Sequence, residues 1–344
     1  MILETVLVTG GFGYIGSHTC VSLLENNHNV LVIDSLINSS KNTLEKIKKT
    51  VSFKGTSIND NIQFIEGDLR NNEWLENIFS DYVKADKPIK SVIHFAGLKS
   101  IYDSIQSPLD YWDSNVKSTV SLLSAMRKYR CYSLIFSSSA SVYKPKGFKL
   151  LKETDETIPK SPYGKTKLCV EEILNDLFAS DKNWSIASLR YFNPIGSHSL
   201  GFLSENSKGK STNLFPAIQK TIMGEQKELL IYGNDWPTYD GTCIRDFIHV
   251  MDLAEAHIAS LNYLKEYNNQ KIVINIGTGK GSSVLEIIKT FQDIKGIKFP
   301  YDFTTRRLGD EPFLVADNSL ALKLLDWFPK RNINDMCTDY VVNL

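Results

Sequence analysis

The segment Gly10-Gly11-Phe12-Gly13-Tyr14-Ile15-Gly16 limits what this 344-residue chain can fold into more than any other. It directly follows the apolar run 5–9 and opens a helical stretch. Glycines at 10, 13 and 16 allow a tight turn, let the backbone approach a pyrophosphate and let the helix lie close on a sheet, its N-terminus toward the anion. A loop of this kind standing alone is equally well a turn without a ligand. Its place between strand and helix makes Gly10, Gly13, Tyr14, Ile15 and Gly16 the predicted cradle of a dinucleotide.

The pattern beyond the loop supports that reading. Short apolar runs at 30–33, 62–65, 92–95, 134–137 and 186–189 alternate with longer amphipathic segments. Each is too short for a helix and lacks polar alternation, as strands buried on both faces do. The segments between them, such as 108–129, have room for the crossover helices that parallel strands require. An α/β fold follows, with a Rossmann-type doubly wound parallel sheet over residues 1–190. The polar stretch 38–61 reads as a helix plus a loop. After Phe192 the chain turns richer in Gly, Pro, Asn and charge, so residues 191–344 are expected to form a smaller mixed α/β lobe, with the chain free to cross between lobes.

Charge and cysteine content bound the partners. The 39 Lys plus Arg balance 39 Asp plus Glu, whereas a binder of nucleic acid or anionic membrane usually carries a basic excess. No stretch approaches the eighteen or so apolar residues of a spanning helix, and the run 6–8 has no basic segment before it and breaks at Thr9-Gly10-Gly11. Five scattered cysteines match no zinc or redox spacing and read as buried thiols of a reducing compartment. The expectation is a cytoplasmic protein without a metal, acting on a small molecule.

The chemistry lies at the ends of the predicted strands. Asp34 ends the second, where a carboxylate accepts from ribose hydroxyls and repels a 2′-phosphate, favouring NAD over NADP. Asp68-Leu69 follow the third and Phe95-Ala96-Gly97 the fourth, all on the dinucleotide's edge of the sheet; Asp68 serves equally well as a helix cap. Ser137-Ser138-Ser139 close the fifth, and Ser161-Pro162-Tyr163-Gly164-Lys165-Thr166-Lys167 follow. Ser161 as cap and Pro162 at the first helical position put Tyr163 and Lys167 on one helix face. A nearby ammonium and a positive nicotinamide would pull the tyrosine pKa from about 10 toward neutrality, making Tyr163 a general base, with Ser139 bonded to the same substrate hydroxyl. A surface Tyr and Lys pair at this spacing is common, and only the preceding fingerprint turns it into a site.

Together TGGFGYIG, His94-Phe95-Ala96-Gly97-Leu98-Lys99, Asn115, SSSASVY, SPYGKTK and Arg190-Tyr191-Phe192-Asn193-Pro194 resemble the extended short-chain dehydrogenase/reductase family, in particular its nucleotide-sugar 4-epimerase branch. The likeness runs on through Ile231-Tyr232-Gly233-Asn234-Asp235, Arg245-Asp246-Phe247-Ile248-His249-Val250 and Arg306-Arg307-Leu308-Gly309-Asp310. It implies NAD as cofactor and a UDP-sugar as substrate, with Ser139 and Tyr163 at the sugar 4-hydroxyl and Lys167 on the nicotinamide ribose. It further implies Lys99 and Asn115 in the cofactor wall, Lys99 also reaching the substrate, and Phe192 beside the nicotinamide. For the nucleotide sugar it implies Asn193, Asn213, Leu214, Tyr232, Arg245, Arg307 and Asp310. Planar guanidinium forks at 245 and 307 suit a pyrophosphate, although Arg245 could equally pair with Asp246 or Asp240. The family's common homodimer would use the helices around Asn115 and Lys167.

Alternatives differ at identifiable residues. Dehydratases and decarboxylases of related fold need further acidic groups after the serine, where this chain has Ala140-Ser141. A non-catalytic NAD sensor would lack the Ser139, Tyr163 and Lys167 set. Lys144 replaces the glycine usual after the Val-Tyr pair, which is expected to reshape the adjoining loop. Leu314 stands beside the sugar where the family carries a bulky ring or a smaller residue, so N-acetylated UDP-hexosamines are expected as further substrates beside UDP-glucose and UDP-galactose.

Overall fold

The computed structural model describes residues 4–53, 61–205, 213–307 and 309–340. Six strands arise where the apolar runs predict them: β1 (Thr5–Thr9), β2 (Asn29–Asp34), β3 (Ile62–Glu66), β4 (Ile89–His94), β5 (Ser133–Ser139) and β6 (Ser185–Tyr191). β4 starts and ends earlier than its hydrophobic run, which leaves Phe95 in the loop beyond it. In the polar stretch a helix spans Asn42–Phe53, and residues 54–60 lie outside the described ones.

Past β6 the chain forms β7 (Asn193–Ile195), β8 (Leu229–Tyr232), β9 (Ile244–Arg245), β10 (Phe247–His249) and β11 (Lys271–Ile276). β11 returns to the large sheet and pairs in parallel with β6. The outermost strand of the large sheet therefore comes from beyond residue 190, far along the chain. The sheet is all parallel, in the order β11-β6-β5-β4-β1-β2-β3. The remaining short strands, with β12 (Ser282–Ser283), β13 (Tyr301–Thr304) and β14 (Phe313–Leu314), make three small sheets of a second lobe.

Strand alternation explains why the runs are apolar throughout. Val6, Val8, Val30 and Val32 pack on one side, under α1 (Tyr14–Glu25) and the helix Val250–Glu266. Leu7, Leu31 and Ile33 pack on the other, under helices Asn72–Lys84 and Ser118–Lys128. Each face is covered, so every position of β1 and β6 is buried, while β3, at the edge of the sheet, leaves Gln63 and Glu66 exposed. Strand order reverses at β1, between β4 and β2, which opens a crevice beyond their carboxyl ends, the place where doubly wound sheets bind ligands.

Candidate active site

A cleft of about 1890 Å³ runs along that crevice and between the lobes. On the sheet side the glycine loop has a conformation that side chains would spoil. Gly10 is left-handed, with φ +66°, and a Cβ there would lie 2.7 Å from the Ala96 backbone nitrogen. A Cβ on Gly16 would lie 2.5 Å from the Gly10 carbonyl oxygen. No side chain caps α1 and no acidic residue sits in its first turn, so its N-terminus is suited to an anion. Tyr14 and Ile15 line the cleft in that turn. Asp34 accepts from Phe12 N at 3.0 Å through Oδ2, and from Leu36 N at 2.9 Å and Ser39 Oγ at 2.7 Å through Oδ1. The carboxylate braces the loop it faces. Leu69, Phe95, Ala96, Gly97 and Lys99 continue the wall. These residues fit a dinucleotide.

Two residues of this region have protein partners of their own. Asp68 lines the cleft but caps no helix: Asn71 accepts from Trp74 N, and Asp68 instead forms an ion pair with Arg70 that holds its pKa below the ordinary value. Asn115 does not line the cleft. It sits in a π-helical turn, Trp112–Lys117, where its Oδ1 accepts from Leu98 N at 2.7 Å while its Nδ2 donates to Leu98 O at 3.1 Å and Thr166 Oγ1 at 3.0 Å. Every polar atom is thereby engaged, and the residue fastens the Phe95–Lys99 loop to the helix that bears Tyr163.

That helix, Pro162–Ser180, starts as expected, with Ser161 Oγ accepting from Gly164 N at 3.1 Å and Pro162 at its first position. Along β5 the three serines point alternately. Ser137 Oγ meets the Tyr191 hydroxyl, Ser138 Oγ donates to Glu171 on the opposite face, and Ser139 turns back toward Tyr163. Lys167 Nζ donates to the Ser137 carbonyl at 2.7 Å and lies 5.8 Å from the Tyr163 ring centroid. Burial pulls the Lys167 pKa from 10.5 down to about 8, against the attraction of Glu171. In the protein alone burial raises the Tyr163 pKa above 10.0, and only its hydrogen bond with Ser139 opposes this. The lowering expected of Lys167 is not a property of the protein alone, because the ammonium is directed at a carbonyl instead of the phenol.

The second lobe supplies the facing wall. Phe192 packs with Ala140, Tyr143 and Ala316 at the bottom, next to Asn193 of β7. Asn213 and Leu214 open the helix Leu214–Ile222. The Arg307 guanidinium stacks 4.0 Å over the Tyr232 ring at the end of β8. Arg245 Nη2 lies 3.5 Å from Asp310, and its Nη1 donates to the carbonyls of Ile244 and Glu311. The alternative pairing with Asp246 or Asp240 is not adopted. Asp246 is buried among Thr278 N, Gly279 N and Ala316 N, while Asp240 bonds Thr242 and Ser283. Leu314 also lines the cleft, in register with Arg245. Among the described residues no cluster of His, Cys, Asp or Glu could hold a metal ion.

Residues 6–277 match the NAD dependent epimerase/dehydratase family. The chain is also 43% identical over 337 residues to UDP-glucose 4-epimerase 2 of Arabidopsis thaliana, an alignment covering 98% of this chain and 93% of that protein. This chain belongs to the NAD dependent epimerase/dehydratase family. A UDP-glucose 4-epimerase from Stenotrophomonas maltophila, solved with bound NAD and formylated UDP-arabinopyranose, shares the fold at a TM-score of 0.91 and 40% identity, covering 98% of this chain and 96% of its own. The enzyme from Bifidobacterium longum, in complex with NAD+ and UDP, gives 0.89 and 40% with the same coverage.

Within this family member the structure adds groups that sequence reading missed. Glu171 forms a buried bidentate pair with Arg190, Nε to Oε1 at 2.9 Å and Nη2 to Oε2 at 2.5 Å, and so braces Ser138 beside Ser139. Its i+4 spacing from Lys167 was the available signal. Lys99 pairs across the cleft with Glu205 at 3.3 Å, a contact no local pattern announces. Lys144 pairs with Glu156 at 2.8 Å, on the loop beyond β5. The glycine cradle yields a direct test. In Gly10→Ala a left-handed non-glycine residue adds about 1–2 kcal/mol of strain to the steric clash, so NAD should bind the cofactor-depleted protein about ten-fold more weakly. Calorimetric titration showing unchanged NAD affinity would remove Gly10 from the cofactor site.

Proposed function

We propose that this chain is a UDP-glucose 4-epimerase that interconverts UDP-galactose and UDP-glucose through a 4-keto sugar. One observation carries the reading: a buried tyrosine and serine couple stands opposite a two-arginine wall, and the residues following that serine are Ala140 and Ser141, not acids. Such a site can take a proton from one hydroxyl and give it back. It has no second acid for the elimination that a dehydratase performs.

The residues divide the work. Arg245 and Arg307 hold the UDP pyrophosphate as charged forks, with Tyr232, Asn213 and Leu214 along the nucleotide. Ser139 accepts or donates at the 4-hydroxyl while Tyr163, as phenolate, removes its proton. The glycine loop, Asp34 and Lys167 would hold NAD, which when bound would supply the acceptor and donor for the C4 hydride. The sugar itself is gripped sparsely, so the keto form can swing about its pyrophosphate before Tyr163 gives the proton back. Strong grip on the nucleotide with weak grip on the sugar is the binding pattern that such a cycle needs. Leu314, half-buried in the wall, leaves room for N-acetylated UDP-hexosamines as further substrates.

Exposed Leu109, Trp112 and Val120 lie along the helical stretch from Pro108 to Lys128, and a second copy of this chain would cover them as a homodimer. Five unpaired thiols suit the cytoplasm. Among the described residues no helix is long and apolar enough to cross a membrane.

NMR of the purified protein with UDP-galactose and no added NAD tests the activity. C4 interconversion should appear, Tyr163→Phe should lose most of it while still binding NAD and UDP, and UDP-N-acetylglucosamine should turn over as well. No C4 exchange even after NAD is supplied would overturn the epimerase reading, and a silent N-acetyl substrate would overturn the broader one. For the assembly, light scattering should give twice the chain mass for the wild type and a single-chain mass for Val120→Glu. A monomeric wild type would refute the dimer.

A further inference from the structure

Outside the recognised site, one contact joins its two walls through residues that the reaction does not use. The Glu311 carboxylate forms an ion pair with Lys160 Nζ, and both residues line the cleft. On the Glu311 side, the backbone carbonyl accepts from Arg245 Nη1 at 2.7 Å, the neighbouring Asp310 pairs with the same guanidinium, and Ile244 N donates to Pro312 O at 2.8 Å. The segment thus moves with the arginine that would hold the pyrophosphate. On the other side, Lys160 immediately precedes Ser161, the residue whose Oγ caps the helix carrying Tyr163. One pair therefore ties the nucleotide wall to the turn that positions the base.

We propose that Glu311 is a positioning residue whose ion pair with Lys160 fastens the nucleotide-binding wall to the catalytic helix and so retains the oxidised sugar until it is reduced again. The proposal rests on the epimerase reading above. Lys160 is 58% exposed at its side chain and Glu311 20%, so the pair contributes little to folding and its effect falls on how long the walls stay together. Retention matters because the cycle passes through an oxidised state. The C4–H and O–H bonds break, the hydride would pass to the enzyme-bound NAD, the proton goes to Tyr163 and a ketone remains. If the UDP-4-keto sugar departs then, two electrons stay on the enzyme as NADH and no epimer forms.

The test follows turnover of UDP-galactose together with the absorbance of reduced nicotinamide in the purified holoenzyme. Glu311→Gln should raise KM about five-fold with a smaller change in kcat, and NADH should accumulate about five-fold faster than in wild type. Lys160→Gln, at the more exposed partner, should reproduce both effects should Glu311→Gln fold poorly. The double exchange Lys160→Glu with Glu311→Lys should restore both toward wild type, because the pair is re-formed with its signs reversed. NADH accumulation at the wild-type rate in the single variants, whatever their KM, would overturn the proposal, as would a double exchange no better than the singles. A wild type without C4 exchange would instead defeat the epimerase reading itself, independent of the variants.

Discussion

The site depends on one buried cation. Lys167 is almost wholly enclosed, yet its ammonium is anchored 2.7 Å from the Ser137 carbonyl, 5.0 Å over the Phe136 ring and one helical turn from Glu171. That anchor locks the end of β5 to the helix Pro162–Ser180, and thereby brings Ser139 within reach of Tyr163. It is held against a cost. A lysine whose pKa is pulled down from 10.5 to about 8 binds its proton less readily folded than unfolded, so it lowers fold stability below about pH 8 and the deficit fades as pH rises from 8 to 10.5. That sign fits the role proposed for Lys167 beside the cofactor.

The same economy of charge runs through the cleft. Tyr163 is held neutral by burial, which keeps an unpaired phenolate out of the interior until a positive charge arrives beside it. The second lobe solves the opposite problem. Its guanidinium groups must be held in place before any anion binds, and they are held by an aromatic face at Tyr232 and a carboxylate at Asp310. One wall thus waits for a cation and the other for an anion, within a chain whose formal charges sum to zero.

What could be read from the sequence was what neighbours along the chain determine. The glycine loop, the six leading strands and the Ser161-to-Lys167 turn are each fixed by spacing over a few residues, and the structure reproduces them. What escaped was set by partners distant in sequence. β11 joins β6 from some eighty residues beyond, Glu171 is committed by Arg190, and Lys160 meets Glu311 with a separation of 151. The contacts of Asn115 with Leu98 and Thr166 also escaped, because it sits in a π-turn that no local periodicity signals. Nor does spacing say which acceptor the Lys167 ammonium, on the same helix face as Tyr163, will choose: in the protein alone it is the Ser137 carbonyl.

The central claim is that Tyr163 becomes a base only when the cofactor's positive charge joins Lys167 beside it. Titration of its ionisation by ultraviolet difference, wild type minus Tyr163→Phe, on cofactor-depleted protein and again after NAD is added, tests this directly. Without NAD the phenol should ionise above the usual tyrosine range, and with NAD its midpoint should move toward neutrality. A midpoint that NAD does not move, or one already near neutrality without it, would contradict the mechanism.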